Sequence, residues 1–411
     1  MNINSKLLYT LKVLRNLKIR DLKELIILFK SLIKGWKIFV VFSPRIGHQL
    51  LNTLAFTFYI SPEEASKLKL AVSNPKRLSS NIFITNFWNE YLHDKGYLVF
   101  SGDLSNLVIE FLKKMNNKRD YVGHKMNGTK EYYLTNKKTI NSIYHNRNDC
   151  GQIMDRKFKP FPRLKFKPHT PTVSHLKPLN YVCAHTRDSK YLELSSSKDK
   201  FSYHNYRDDD YLKLLPSIKF INSKNLSVLR MGNVKKNIDN SFFSKEHIDF
   251  KDTSPNGFDD MTLCSNCLFY IGDTSGLAVA AAFFGRPVLR YNWVPIFNSL
   301  PYTTLVLPML IKDIKTDKFL SYKKVWELKL KGLNISNGKS YKEYGLECVR
   351  NTSEDIYDAS VEMFRRVQDE DFDYHHPKQK EYEEMMESLG WPNPGVIAYS
   401  FMEKYNHLFL G

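Results

Sequence analysis

Residues 270–289 read YIGDTSGLAVAAAFFGRPVL. An aromatic and aliphatic run leads into Gly272-Asp-Thr-Ser-Gly276, an alanine-rich stretch follows, and Gly285-Arg-Pro287 opens a second apolar run. β-formers, a break of small polar residues, helix formers and then β-formers again is the order of a βαβ unit, which makes the surrounding sheet parallel. The alanines of 278–282 let the helix lie close to that sheet. At the break, Thr274 or Ser275 suits a helix N-cap. The unpaired amides and dipole of the first turn, beginning at Gly276, form a ready anion site. The turn matches neither GxxxxGK[ST] nor GxGxxG.

Outward from this unit the alternation continues. Strands are predicted over 181–185, 226–231, 267–271 and 287–291, with helices over 209–221, 259–264 and 277–284. Earlier in the chain, strands over 37–42, 67–72 and 97–100 alternate with helices over 47–60, 81–92 and 104–115. The economical fold class is α/β with two doubly wound domains. The length of 411 residues agrees, at ~100–200 residues per domain. Between the two series, 156–178 holds five prolines and seven Lys or Arg with no acid, the composition of an extended linker. The predicted organisation is an arm (1–36), an N-terminal Rossmann-like domain (37–155), a linker (156–179) and a C-terminal Rossmann-like domain (180–375). A helical tail (376–411) is expected to pack back on the N-terminal domain.

The arm is basic and amphipathic. Residues 1–37 carry nine Lys or Arg against Asp21 and Glu24, with leucines and isoleucines at roughly helical spacing. Its longest apolar run, 25–29, is far short of the ~20 residues that span a bilayer. Two readings stand: adsorption to an anionic membrane face, or a helix packed on the body with a solvated basic side. The formal net charge of +18 points to phosphate-bearing partners, whether nucleic acid, anionic lipid or nucleotide-linked substrate. Hydrophobic residues at 42% and charged residues at 25% place the chain among globular proteins. Five cysteines, an odd number, and no recognisable secretory signal favour a cytoplasmic location, with the arm peripheral on the inner face of the membrane. Cys264-Ser-Asn-Cys267 is a lone CxxC and reads as buried thiols near a strand.

Ligands of open α/β sheets bind beyond the carboxyl ends of strands, which singles out four places. Arg45, Gly47 and His48 follow the first strand, and His48 could accept a proton there. His185, Arg187 and Asp188 end the first strand after the linker. Arg187 offers a planar fork for a diphosphate and His185 shares its face of an extended segment; a structural Arg187–Asp188 ion pair is the plainer reading. Arg230 and Gly232 end the next strand. The fourth is Asp273, Thr274, Ser275 and Gly276. Asp208-Asp-Asp210, at a predicted helix start, reads as a solvated cap rather than a metal ligand set.

These stretches resemble a bacterial glycosyltransferase family of surface-polysaccharide and O-antigen synthesis. The resemblance is carried by Arg45-Ile-Gly-His48, VCAHTRDS (182–189), Tyr206-Arg207, VLRMG (228–232), IGDTSG (271–276), Gly285-Arg-Pro-Val288, Asn292-Trp293 and NTSEDI (351–356). It implies a GT-B fold, two facing Rossmann-like domains with acceptor mainly on the first and nucleotide sugar mainly on the second. More distantly, His185-Thr-Arg187 is similar to the His-x-Arg element of α1,6- and protein O-fucosyltransferases, whose arginine holds the donor β-phosphate. Here the acid follows at once as Asp188, and Lys190 stands where that element has its acid, a departure from a GDP-fucose site.

The implied activity is metal-independent, cofactor-free transfer of a hexosyl or related sugar from a nucleotide-sugar donor to a lipid-linked or nascent glycan of O-antigen or capsule type. Arg187, with His185, Arg207 and Arg230, would meet the leaving diphosphate. Asp273, Thr274, Ser275, Gly276 and Gly232 would line the donor pocket, and His48 or Asp188 would serve as base. Two other classes remain open: a CDP-polyol phosphotransferase of teichoic-like polymer synthesis, and a nucleic-acid-binding protein. Concentration of positive charge in the arm and linker, and the lack of a recognisable reader motif, speak against nucleic acid. An inert scaffold of the same fold is the blandest reading.

Overall fold

The computed structural model describes residues 15, 18–40, 46–74, 81–115, 121–123, 160–187, 202–232, 236–294, 304–369, 372, 375–388 and 395–409. The chain divides into two compact units, Met1–Arg147 and Asn148–Gly411.

In the first unit, β1 (Lys37–Val40), β2 (Leu70–Ser73), β3 (Val99–Phe100) and β4 (Tyr121–Gly123) form a parallel sheet in the order β3-β2-β1-β4. Helices α1 (Ile19–Ile33), α2 (Ile46–Tyr59), α3 (Pro62–Lys67), α4 (Ile82–Asp94) and α5 (Asp103–Met115) surround it. Strand side chains alternate between faces, so adjacent residues feed different cores. Phe39 and Val72 pack with Phe56, Ile60 and Leu92, whereas Ile38 and Ala71 pack with Leu28, Phe100 and Ile109. Leu28 belongs to α1, so the described part of the predicted arm packs on the body through one face. The carboxylate of Glu24 fixes it there by accepting from the Gly102 amide at 2.9 and 3.2 Å.

The second unit is built on β5 (Tyr181–His185), β6 (Ser227–Arg230), β7 (His247–Asp249), β8 (Tyr270–Gly272), β9 (Val288–Trp293), β10 (Thr304–Pro308) and, from the tail, β14 (Val396–Ile397). Their order is β14-β10-β9-β8-β5-β6-β7, parallel throughout. Leaving out β14, this is the 3-2-1-4-5-6 order of a doubly wound dinucleotide fold, whose direction reverses between β5 and β8. Helices α6 (Leu215–Asn222), α7 (Phe258–Asn266) and α8 (Gly276–Phe283) connect these strands. A small antiparallel sheet, β11 (Leu310–Asp313), β12 (Lys318–Phe319) and β13 (Leu346–Val349), follows with α9 (Tyr322–Leu330) and α10 (Gly338–Glu343). Helices α11 (Ser353–Gln368), α12 (Gln379–Ser388) and α13 (Tyr399–Lys404) complete the chain.

Two expectations are corrected. The tail, expected to dock on the N-terminal domain, belongs to the second unit: β14 pairs with β10, and Phe401, Met402, Leu408 and Phe409 join Tyr322 and Tyr382 in the second core. An open strand edge and a row of large apolar side chains both need cover, and the tail supplies it. Nor is the proline-rich stretch a free linker. The Phe161 amide donates to the Phe283 carbonyl at 3.0 Å, and the two rings stack at 4.3 Å. Leu164 exchanges hydrogen bonds with Ser265 and Asn266, while the amides of His169 and Thr170 donate to the buried Asp259 carboxylate at 2.9 and 2.6 Å. Prolines reduce the backbone donors such an extended segment must satisfy, and the amides of Phe161, Leu164, His169 and Thr170 find partners on α7 and α8. Cys183, Cys264 and Cys267 are buried free thiols, and burial raises the Cys183 thiol pKa well above its usual range.

Candidate functional site

The carboxyl ends of β5 and β8 lie side by side, with His185 in register with Gly272. Close approach there depends on glycine. A Cβ at Gly272 would stand 2.7 Å from the Tyr270 ring and 3.2 Å from the His185 carbonyl. Gly232, at φ +102° just beyond β6, brings its backbone against the His185 ring, where a Cβ would lie 3.3 Å from Cδ2. Three strand ends therefore converge on His185.

Asp273 sits at the centre of this edge. Its carboxylate accepts from the Arg187 amide, and Oδ1 is 4.0 Å from His185 Nδ1. Burial pushes its pKa up to about 8, against the lowering effect of the Arg187 amide and charge; Asp209 and Asp208 raise it further. Burial thus favours the uncharged form, which lessens the repulsion that an incoming anion would otherwise meet. Arg187 donates from Nε to Asp208 Oδ1 at 3.0 Å, and its buried Nη2 has no hydrogen-bond partner among the described residues. That orphan donor is the feature to which a ligand oxygen would bring most, since a buried unsatisfied donor is costly.

Ser275 caps α8, accepting from the Ala278 amide at 3.4 Å, and the Thr274 hydroxyl donates to the Val294 carbonyl at 3.0 Å. Both hydroxyls thus hold the turn in shape. The α8 N-terminus, from Gly276, follows directly on Asp273 and carries the positive end of the helix dipole.

The other predicted residues have different surroundings. Arg230 Nη2 donates to the Lys236 carbonyl at 2.6 Å, Nη1 lies 3.6 Å from Asp249, and the guanidinium sits 4.9 Å over the Tyr211 ring. Arg207 donates to the Tyr206 hydroxyl at 3.0 Å and the Ser336 carbonyl at 3.3 Å. Gly47 and His48 stand in the first turn of α2, in the first unit. Arg45 and Asp188 lie outside the described residues.

Sequence reasoning missed a second layer. Asp208 and Asp209 are not the solvated cap expected of them; of the three acids only Asp210 caps, accepting from the Leu212 amide at 3.0 Å. Asp208 holds Arg187, while Asp209 pairs with Lys213 at 2.9 Å and accepts from Asn292 Nδ2 at 2.6 Å. Asn292 and Asn351 bond each other's backbone amides at 2.5 and 2.7 Å, tying the end of β9 to the start of α11. Arg290, buried within β9, lies 4.4 Å over the Trp293 ring; burial lowers its pKa to about 9, against the raising effect of Tyr270 and Asp273. The readable signal was a charge inside the apolar run 288–293, because a buried cation requires some compensating partner. Among the described residues no group of three or more His, Cys, Asp or Glu is placed to hold a metal ion.

No family model matches this chain, and no curated protein matches it. Among solved structures, the iron-containing dodecameric glycosyltransferase TibC from enterotoxigenic E. coli H10407 is similar at 12% identity and a TM-score of 0.35, over 66% of this chain and 62% of TibC. This chain thus spans less than two thirds of the TibC length. E. coli heptosyltransferase WaaC, solved with ADP-2-deoxy-2-fluoro heptose, gives 10% identity and a TM-score of 0.35, over 66% of this chain and 92% of WaaC. A family 9 glycosyl transferase from Veillonella parvula DSM 2008 gives 11% identity and a TM-score of 0.39, over 80% and 96% of the two chains. These likenesses assign no residue roles here.

Proposed function

We propose that the carboxyl edge of the second sheet binds the diphosphate of a nucleotide sugar and that the chain transfers the sugar to a glycan or lipid-linked acceptor, as a GT-B glycosyltransferase. The observation that carries this is the unpartnered Nη2 of Arg187 at the point where the strand order reverses, beside the N-terminus of α8. A dinucleotide-type sheet binds its ligand at that reversal. A buried guanidinium with a spare donor is suited to phosphate oxygen.

In this reading the Arg187 amide and side chain are positioned by Asp273 and Asp208, while Gly232 lies against the His185 ring and Gly272 against the His185 carbonyl. As the bond between sugar and diphosphate breaks, negative charge grows on the leaving oxygen, and Arg187, His185 and the first amides of α8 stabilise it. Burial favours the uncharged form of Asp273 and so lessens its opposition to that charge. Asn292, Asn351 and Asp209 hold the surrounding loops. The acceptor is assigned to the first unit, where the strand order reverses at β1 and the chain leads to Arg45, Gly47 and His48; His48 or Asp188 would take the proton of the attacking hydroxyl. No metal is assigned a role.

The test is a thermal-shift and hydrolysis screen against common nucleotide sugars and a CDP-polyol, with wild type beside Arg187→Ala. Stabilisation and turnover by a nucleotide sugar, lost in the variant, is the expected result. Stabilisation by the CDP-polyol alone would move the chain to phosphotransfer, and full activity in Arg187→Ala would remove the phosphate contact.

A further inference from the structure

Helix α1 has two apolar faces, and only one of them packs against other described residues. Leu28 is fully buried, with Leu25 and Leu32 packed beside it, whereas Ile19 is 76% exposed, Leu22 49%, Ile26 53%, Phe29 45% and Ile33 85%. At about 100° per residue, these five exposed side chains fall within an arc about 80° wide, turned roughly 140° away from Leu28, and Ile27, 48% exposed, lies outside it on the far side of Lys30 and Lys23. Scattered exposed hydrophobics need no explanation, but a contiguous stripe on one helix does.

Charge separates the same way. Both acids of α1 are committed on the inner side: Asp21 accepts from the Lys18 amide at 2.9 Å at the helix start, and Glu24 accepts from the Gly102 amide. Arg20, Lys23, Lys30 and Lys34 are all exposed, and Lys23 and Lys30 border the apolar stripe directly. Lys69 adds a cation at the helix end by donating to the Lys34 carbonyl at 2.8 Å. Among the described residues of α1, the charges that border the outer apolar stripe are therefore positive.

We propose that this outer face of α1 lies in the interface of an anionic lipid bilayer, with the 19-22-26-29-33 stripe among the acyl chain ends and the lysines against headgroup phosphates. An interfacial helix of this kind gains from buried apolar area and from attraction to anionic lipid together. The helix lies on the surface and does not cross it; among the described residues no helix is long and apolar enough to span. A second copy of the chain is the poorer occupant. The stripe has the three-four spacing of a helical seam, but pairing two such faces would bring Lys23 and Lys30 of each copy toward like charges with no acid to answer them. This attachment stands whether or not the chain transfers sugars, and its test needs no donor.

The full chain is sedimented with phosphatidylcholine vesicles and with vesicles containing roughly 30% phosphatidylglycerol, at low salt and at about 0.5 M salt. Wild type is expected to pellet with the anionic vesicles and to be released by salt. Ile26→Ser with Phe29→Ser should weaken binding at least tenfold or so, and Lys23→Gln with Lys30→Gln roughly 25-fold. Because all four side chains are exposed, thermal unfolding of both variants should match wild type. Equal pelleting with neutral and anionic vesicles, none with either, or no loss in either variant overturns the proposal. So does a concentration-dependent dimer, seen by light scattering, that dissociates in the Ile26→Ser, Phe29→Ser variant while vesicles bind nothing.

Discussion

Arg187 and Arg230 stand at the ends of neighbouring parallel strands, and residue order alone does not rank them. The structure separates them by the two-residue period of a strand. Arg230 is in register with Ala184 and shares the face of Val182 and Val228, so its guanidinium turns onto Tyr211 and is held by Asp249 and the Lys236 carbonyl. Arg187 lies two residues beyond His185, the last residue of β5, where the sheet no longer dictates its face; Asp208 and Asp273 place it instead. A strand-end cation marks a binding site only when its partners leave part of it unspent.

Four substitutions would break or sharpen that contrast. The largest effect is expected from Arg187→Ala, which should lower kcat/KM for donor turnover by roughly 100- to 1000-fold, the range for removing one donor to a developing anion. Loss of its 3.0 Å pair with Asp208 should also cost about 1–3 kcal/mol in urea unfolding. Arg230→Met should show a stability loss alone: about 1–3 kcal/mol in the same measurement, with turnover within a few-fold of wild type. The partial exposure of Asp249 keeps that loss below the range for an enclosed ion pair. If Arg230→Met instead abolished turnover in a stably folded protein, the two arginines would have to be treated alike.

Ser275→Ala removes the α8 N-cap and should cost about 1 kcal/mol in the same unfolding measurement. Asp273→Asn is expected to act through the pH dependence of stability. A carboxyl with its pKa raised to about 8 holds its proton in the folded chain after the unfolded chain has lost it, so it favours folding at low pH, and that contribution fades as pH rises from about 4 to 8. The asparagine variant lacks this component. Its stability curve should be flatter across that window and should gain on wild type above it, as read from unfolding midpoints at several pH values.

Much of the second unit was legible. The predicted strand over 181–185 coincides with β5, and the strand-turn-helix-strand reading of 270–289 matches β8, α8 and the start of β9, because apolar runs broken by small polar residues report local structure directly. The candidates His185, Gly232, Asp273, Thr274, Ser275 and Gly276 do gather at one edge. The Asn292–Asn351 pair, Asp209 and the strapping of the proline-rich stretch were not legible. Each depends on partners 59 to 122 residues distant in the chain, a separation that neither periodicity nor a local motif encodes.

The sequence by itself determined the parallel α/β pattern, the anion-ready turn before α8 and the basic, amphipathic character of the arm. These follow from residue order over a few turns or strand lengths. Tertiary structure decided which arginine keeps a spare donor, which of three consecutive aspartates is a cap, that the tail completes the second sheet, and which stripe of α1 is left outside. Those outcomes depend on burial and on distant partners, because a polar group's role is set by what remains unsatisfied after the chain has closed around it.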